Sequence, residues 1–346
     1  MNPIREVYFD CAASAPMLRS VREMLGAWQY ANPNSVHSAG RNAREILESA
    51  RAVIAECIGA KPREIYFTPS ATAACHDAVR LLKIWERSPH EHQSVVNACV
   101  NQTLTGSHDP DATAHILASN ETGEIFSGEV MRLVRQGKTV FTDATAAMGH
   151  YPIDVRHLGV AALAAGAHKF GGPPGIGFLY VKDGVAECSF SERDFSFPGT
   201  PPVALAAAMA EALLYRVENM DMGRALSMRE DFQKRLLQIP GAHINRADKP
   251  RLPHIVSVRF DGVNARELLT LLDVNGVCAS AGSACHADSD KPSEALLAAG
   301  LSHEQALQTI RLSFCEETFE SECREVAQIT GDCVERLRTL GGIPMP

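Results

Sequence analysis

The strongest constraint on this chain is a repeated switch between two hydrophobic periods. "REILESARAVIAECIG" spaces its apolar residues as a helix does and stops at Gly59, a residue type suited to a C-terminal cap. "EIYFT" then reads as a short strand, and "SATAACHDAVRLLKIWER" resumes a helical period from a Ser/Thr-rich start. "AHILASN" and "TVFTDAT" read as strands that end in polar residues. Strands that alternate with helices pair in parallel through crossovers, and such sheets bind ligands beyond the carboxyl ends of their strands. Asn120, Asp143 and Lys169 stand at or just beyond such ends. Three polar groups are therefore expected to converge on one edge of one sheet.

Lys169 has the most unusual surroundings of the three. Gly159 to Gly166 is almost wholly small and aliphatic, as in a strand buried on both faces, and Ile176 to Val181 reads the same way. An amine held between two such strands loses hydration, titrates lower and can act as a nucleophile or form a Schiff base. Taken alone, a surface lysine on a tight turn is the better reading of this residue.

With 346 residues the chain exceeds what one core usually serves, so two lobes are expected. A net charge of −8 offers no basic footprint for nucleic acid. The opening "MNPIREVYFD" carries charges where a signal peptide needs an apolar core, and "VALAAAMAEALLY" is too short to span a bilayer. These features predict a chain with no membrane partner. The 10 cysteines show neither C-x-x-C pairs nor metal-ligand spacing, so no metal is expected, and most fall in apolar or helical patterns typical of core residues. A reducing cytoplasm suits them. Near Pro250 the texture changes: "ADKPRLP" resembles a linker, and beyond it come "HIVSVRF", "ARELLTLLD", a loop with Cys285, "SEALLAAG", "TIRLSF" and an amphipathic helix from about Glu320. The expected organisation is an N-terminal segment (1–14) packing with the small domain, a large domain (15–248) and a small α/β domain (249–346) carrying the cysteine loop.

These residues also carry a resemblance. "YFDCAASAP", "NPNSVHSAGR", "EIYFTPSATAA", "EHQSVV", "SNETGEI", "FTDATAAMGHYPIDV", "GAHKFGGPPGIGFLYV", "ASAGSAC" and "TIRLSF" are similar, in order and over most of the chain, to cysteine desulfurases. These form part of the class V aminotransferase group of fold type I pyridoxal-phosphate enzymes. The resemblance implies a fold type I transferase, with a large, mainly parallel seven-stranded-type sheet domain and a smaller C-terminal α/β domain. It implies pyridoxal 5'-phosphate as cofactor, L-cysteine as substrate, a sulfur-acceptor protein as partner, and a homodimer. Lys169 would bind the cofactor covalently and move the substrate's Cα proton. Asp143 would keep the pyridine nitrogen protonated. His92 would stack on the ring, and Asn120 would lie near the phenolic oxygen and the substrate. Thr72, at a helix start where free N–H groups favour an anion, would bind the phosphate with His168 and with Thr200, which reaches across the dimer. Arg311 would take the substrate carboxylate. Asn32 and His37 match a stretch on the rim of the active site.

Cys285, among small residues in "SAGSACHAD", would attack the substrate sulfur and retain it as a persulfide, with His286 beside it favouring thiolate. Three positions depart from the family pattern. Gly166 stands where a phosphate-binding serine is usual, and Ala146 replaces a glutamine that supports the phenolic oxygen. The stretch before Thr200 lacks a glycine-rich segment and an arginine. Each lost phosphate bond is worth about 1–3 kcal/mol, which points to a divergent enzyme with weaker cofactor binding. A related pyridoxal-phosphate lyase, such as selenocysteine lyase, and a non-catalytic scaffold subunit remain alternatives at this level.

Overall fold

A computed structural model describes residues 6–27, 31–104, 106–185, 199–282 and 291–341. The chain divides into two compact units: a larger one from residues 15–118 and 126–220, and a smaller one from 1–14, 119–125 and 221–346.

After a short strand β1 (Val7–Tyr8) that belongs to the smaller unit, the larger unit contributes β2 (Ile65–Thr68), β3 (Glu86–Arg87), β4 (Ala112–Ala114), β5 (Thr139–Asp143), β6 (Ala162–Gly166) and β7 (Gly177–Val181). Among the described residues these form a six-stranded sheet in the order β2-β7-β6-β5-β4-β3. The pairs β3–β4, β4–β5 and β5–β6 are parallel, whereas β6–β7 and β7–β2 are antiparallel. The sheet is thus mixed, with its parallel half where the sequence alternates strand and helix. The antiparallel half begins at the glycine-proline turn after Lys169, which is too short to carry a crossover.

The helix Ala71–Leu82 buries Ala74, Cys75, Ala78, Val79 and Leu82, a stripe at helical spacing, in a core shared with Phe141, Ala162, Ala164 and Leu179. β6 is "ALAAG", fully buried, and its small side chains let the helix approach closely. The helical period read through "LLKIWER" stops early. Lys83 adopts a left-handed conformation (φ 51°), and the chain leaves towards β3. "AHILASN" is likewise only partly strand: beyond Ala114 the backbone still donates from His115 to Phe141 O and from Leu117 to Asp143 O, but outside a regular ladder.

The smaller unit has a three-stranded antiparallel sheet, β11 (Thr309–Ser313), β9 (Ile255–Phe260) and β8 (Ala242–Ile244), and a parallel pair of β1 with β10 (Val277–Cys278). Its core joins Phe9, Phe232, Val256, Val258, Phe260, Leu268, Ile310, Leu312, Val326 and Val334. The helix Met222–Leu236 belongs here because it contributes Met228, Phe232 and Leu236, so the division lies ahead of the linker-like stretch at Pro250. The segment 119–125 also belongs here. Leu252 N–H donates to Gly123 O (2.8 Å), Ile125 N–H donates to Pro250 O (2.9 Å), and Arg246 grips Glu124 through two bonds of 2.7 and 3.0 Å.

Candidate active site

In the larger unit, two of the expected groups stand at the carboxyl ends of neighbouring parallel strands. Asp143 is the last residue of β5 and pairs in register with Ala164 of β6; it is buried, and its Oδ1 accepts from the Thr145 N–H at 2.9 Å. Lys169 ends the short 3-10 turn Ala167–Lys169 that follows β6 directly, and is half-buried. Its carbonyl accepts from His150 Nε2 at 3.0 Å. Burial pushes His150 down to about 4, so the imidazole is neutral at pH 7, with the Nε2 proton fixed by its carbonyl acceptor. His150 was not singled out in the sequence, although it lies in the matched "FTDATAAMGHYPIDV".

The beginning of the helix Ala71–Leu82 is the anion-binding candidate. The side chain of Ser70 is its cap, accepting from the Ala73 N–H at 3.1 Å, and Thr72 is an exposed residue of the first turn. β6 and β7 approach this helix end through glycines. A Cβ on Gly177 would lie 2.6 Å from Ala165 O and 2.9 Å from the Ala71 nitrogen, and one on Gly166 would lie 3.1 Å from the Ala71 Cβ. The family-typical serine at Gly166 would therefore be tightly packed against Ala71. His168 sits beside this turn and is pushed down to about 4, first by burial and then by the charge of Lys169. It is a neutral donor or acceptor at pH 7. First-turn N–H groups, a neutral imidazole and a glycine-lined cradle together suit a phosphate group.

His92 immediately precedes the helix Gln93–Leu104, and its Nδ1 accepts from the Ser94 N–H at 3.2 Å while lying 2.8 Å from Ser94 Oγ. With Nδ1 an acceptor, the neutral ring carries its proton on Nε2. Next to it, Glu91 is buried and held well above the usual carboxylate range by desolvation, and then by the charge of Asp143. The same two causes raise the Cys75 thiol. Asp143 is thus a shared cause of the upward shifts of Glu91 and Cys75. Asn32 and His37 are exposed in a turn and helix start: Asn32 Oδ1 accepts from Asn34 N–H (2.9 Å), and His37 caps the helix Ser38–Cys57 through Gly40 N–H (3.2 Å). Thr200 is exposed just ahead of the helix Val203–Glu218. Ala146 is half-buried two residues after Asp143's strand-end turn begins.

Arg311 lies in the smaller unit, within β11, with only 1 % of its surface exposed. Its Nη2 pairs with Asp10 Oδ1 at 2.7 Å, and its Nη1 donates to the backbone carbonyl of Asn120 at 2.8 Å. The Ser280 hydroxyl donates to the other Asp10 oxygen at 2.7 Å. The Arg311–Asp10 ion pair is therefore a largely buried one. Asp10, unassigned in the sequence, is the residue that orients it. Asn120 is not at the end of a strand of the large sheet; it belongs to the 119–125 segment of the smaller unit. The expected convergence of three polar groups on one sheet edge therefore reduces to Asp143 and Lys169. Cys285 and His286 lie outside the described residues.

A strand-end aspartate, a lysine on the next strand's exit and a helix N-terminus lie at the carboxyl edge of the sheet, where α/β folds bind ligands. Comparison with known proteins narrows the class. The family model for class-V aminotransferases matches residues 7–101 and 91–326. An IscS-like cysteine desulfurase of Mycobacterium tuberculosis is 32% identical over 382 residues, spanning 96% of this chain and 97% of the relative. The cysteine desulfurase IscS of Dictyoglomus turgidum is 30% identical over 379 residues, spanning 97% of this chain and 96% of its own. Among solved structures, a NifS-like protein superimposes with a TM-score of 0.86 at 25% identity, covering 96% of this chain and 100% of that one. A structure described as SspA in complex with cysteine gives 0.75 at 27% identity, covering 89% and 98%. The chain belongs to the class-V aminotransferase family, in its cysteine desulfurase branch.

Proposed function

We propose that this protein is a pyridoxal-phosphate-dependent cysteine desulfurase that converts L-cysteine to L-alanine and passes the sulfur to an acceptor protein. The observation that carries the reading is the placement of Asp143 and Lys169 at the ends of adjacent parallel strands. When bound, pyridoxal phosphate supplies an electron sink for the carbanion at the substrate Cα. Asp143 would hold a proton on the pyridine nitrogen, beside Glu91 and Cys75, both of which are raised by burial and by its charge. Lys169 would attach the cofactor through its amine and would move the Cα proton.

The first-turn N–H groups at Ala71 and Thr72, with neutral His168, would hold the phosphate, and Thr200 of a second copy would add a hydroxyl in a homodimer. His92 would face the cofactor and, with Nδ1 accepting from Ser94 N–H, would move a proton through Nε2. Arg311, oriented by Asp10, takes the substrate carboxylate through the N–H groups that Asp10 and Asn120 O leave over. Asn120 contacts the substrate through its side chain, and Asn32 contributes from the rim. Cys285 would attack the substrate sulfur: the S–S bond forms as the substrate Cβ–S bond breaks, the electron pair stays on the carbon skeleton, which takes up a proton and leaves as alanine, and the persulfide passes its outer sulfur to the acceptor. Among the described residues no helix is long and apolar enough to cross a membrane, and a cytoplasmic setting is part of the same reading.

The test is isotopic. Supplied with labelled L-cysteine and no reductant, the wild type should carry labelled persulfide on Cys285, and Cys285→Ser should release no sulfide while still binding cofactor. Label on a different residue, or wild-type desulfuration by Cys285→Ser, would assign the chain to another pyridoxal-phosphate chemistry.

A further inference from the structure

The turn that carries Lys169 is held from behind by donors from three other segments, all in the larger unit. Residues 168–171 present four consecutive carbonyls, and each meets a donor from elsewhere in the chain. Ala15 N–H donates to His168 O at 2.8 Å, His150 Nε2 to Lys169 O at 3.0 Å, Arg216 Nε to Phe170 O at 3.0 Å and Leu18 N–H to Gly171 O at 3.0 Å. The outer two donors are backbone groups and the inner two are side chains. His150 is buried in the turn that also follows Asp143, and Arg216 is in the helix Val203–Glu218 with 2 % of its surface exposed. Gly149 makes room for this arrangement: its φ is 75°, and a Cβ there would lie 2.7 Å from Phe170 Cβ and 3.3 Å from Arg216 Cβ.

We infer that His150 and Arg216 are positioning residues that aim the Lys169 side chain, an inference that rests on the cofactor reading above. The direction of a Cα–Cβ bond is set by the two rigid peptide planes that flank it. At Lys169 those planes carry the His168 and Lys169 carbonyls. Ala15 holds the first and His150 holds the second. Arg216 holds the plane after them, so a shift at Lys169 is not relieved by rotation at Phe170.

The turn cannot supply these bonds itself. Within it, Phe170 N–H and Gly172 N–H both return to Ala167 O, at 3.1 and 2.9 Å, and the carbonyls beyond need outside donors. At pH 7 both side chains donate, the neutral imidazole through Nε2 and the guanidinium through a permanent charge. Because His150 shares the exit of β5 with Asp143, its bond also ties the turn of Lys169 to the segment that carries the aspartate.

The experiment follows the attachment of pyridoxal 5'-phosphate to Lys169 in the full chain, stopped with borohydride at timed intervals and mapped by peptide mass spectrometry. Wild type, His150→Leu, His150→Gln and Arg216→Met are compared. Binding of pyridoxine 5'-phosphate, which keeps the ring and phosphate but has an alcohol in place of the aldehyde, is measured alongside, together with urea midpoints. His150→Leu should attach the cofactor about 10–100-fold more slowly while binding pyridoxine 5'-phosphate as the wild type does. His150→Gln, whose amide N–H can reach the same carbonyl, should return towards the wild-type rate. Arg216→Met should slow attachment in the same selective way, and it decides the matter if His150→Leu folds poorly. Wild-type attachment rates in both apolar variants would overturn the inference, whatever their urea midpoints. So would an equal loss of pyridoxine 5'-phosphate binding, or a His150→Gln as slow as His150→Leu. A wild type that gains no pyridoxyl group on Lys169 would overturn the cofactor reading as well, so the two failures give different results.

Discussion

The two units hold their candidate residues in opposite ways. In the larger unit they stand at element ends: Asp143 closes β5, Lys169 closes the turn after β6, His92 precedes a helix, and Thr72 lies in a helix's first turn. In the smaller unit Arg311 lies inside a buried strand, saturated on two sides by Asp10 and the Asn120 carbonyl. A side chain at an element end can be changed without cutting a ladder or stranding a charge. A buried paired guanidinium cannot be, because its partner carboxylate loses its counter-charge. The larger unit thus separates chemistry from stability, and the smaller unit joins them.

Mutations can sharpen that contrast. Lys169→Ala should give the largest loss, cutting alanine formation by about 10²–10⁴-fold or more, while urea unfolding stays near the wild type. A large drop in the urea midpoint would instead place Lys169 among the structural residues. Asp10→Ala should behave in the opposite sense, destabilising the chain by about 3 kcal/mol because Arg311 is left buried without its counter-charge. Asp10→Asn, which still bonds Ser280, should lose less, and urea titrations of both variants check the order.

Gly177→Ala should cost about 1–3 kcal/mol, because the new Cβ would meet the backbone of Ala165 and Ala71 with no flexible atom to yield. It should also weaken cofactor binding by displacing the helix end, which a titration of absorbance against added pyridoxal phosphate would measure.

The smallest expected effect is in pH dependence. His150 and His168 are pushed below their unfolded value of 6.5 to about 4, so between those pH values the unfolded chain binds more protons than the folded one. Their contribution is complete above about pH 6.5 and falls as pH drops towards 4, by up to about 1.4 kcal/mol per pH unit for each group. His150→Gln should flatten the decline in urea stability between pH 6.5 and 4.5; an unchanged slope would mean that other groups dominate it.

Much of this was legible in the chain itself. The alternating periods located β5, β6 and their helices, because burial on both faces leaves strands that are continuous in apolar residues, as "ALAAG" is. Strand direction was less legible: β7 has the same apolar texture as β6 yet runs antiparallel, a consequence of the short turn between them. The membership of 119–125 in the smaller unit depends on Arg246–Glu124 and two backbone bonds to the Pro250 region, long-range contacts that no local pattern encodes. Asp143 and Lys169 could be found at strand ends. Asp10 could be noticed only as an acid at the end of an apolar stretch, and its pairing with Arg311 joins residues 301 positions apart.

The central claim, that the strand ends of the larger unit bind pyridoxal phosphate through Lys169, has a direct test. The full chain is incubated with pyridoxal 5'-phosphate, reduced with borohydride and mapped by peptide mass spectrometry. The account predicts a pyridoxyl group on Lys169, absent from Lys169→Ala. A pyridoxyl group on a different lysine, or none on Lys169 at saturating cofactor, would contradict it.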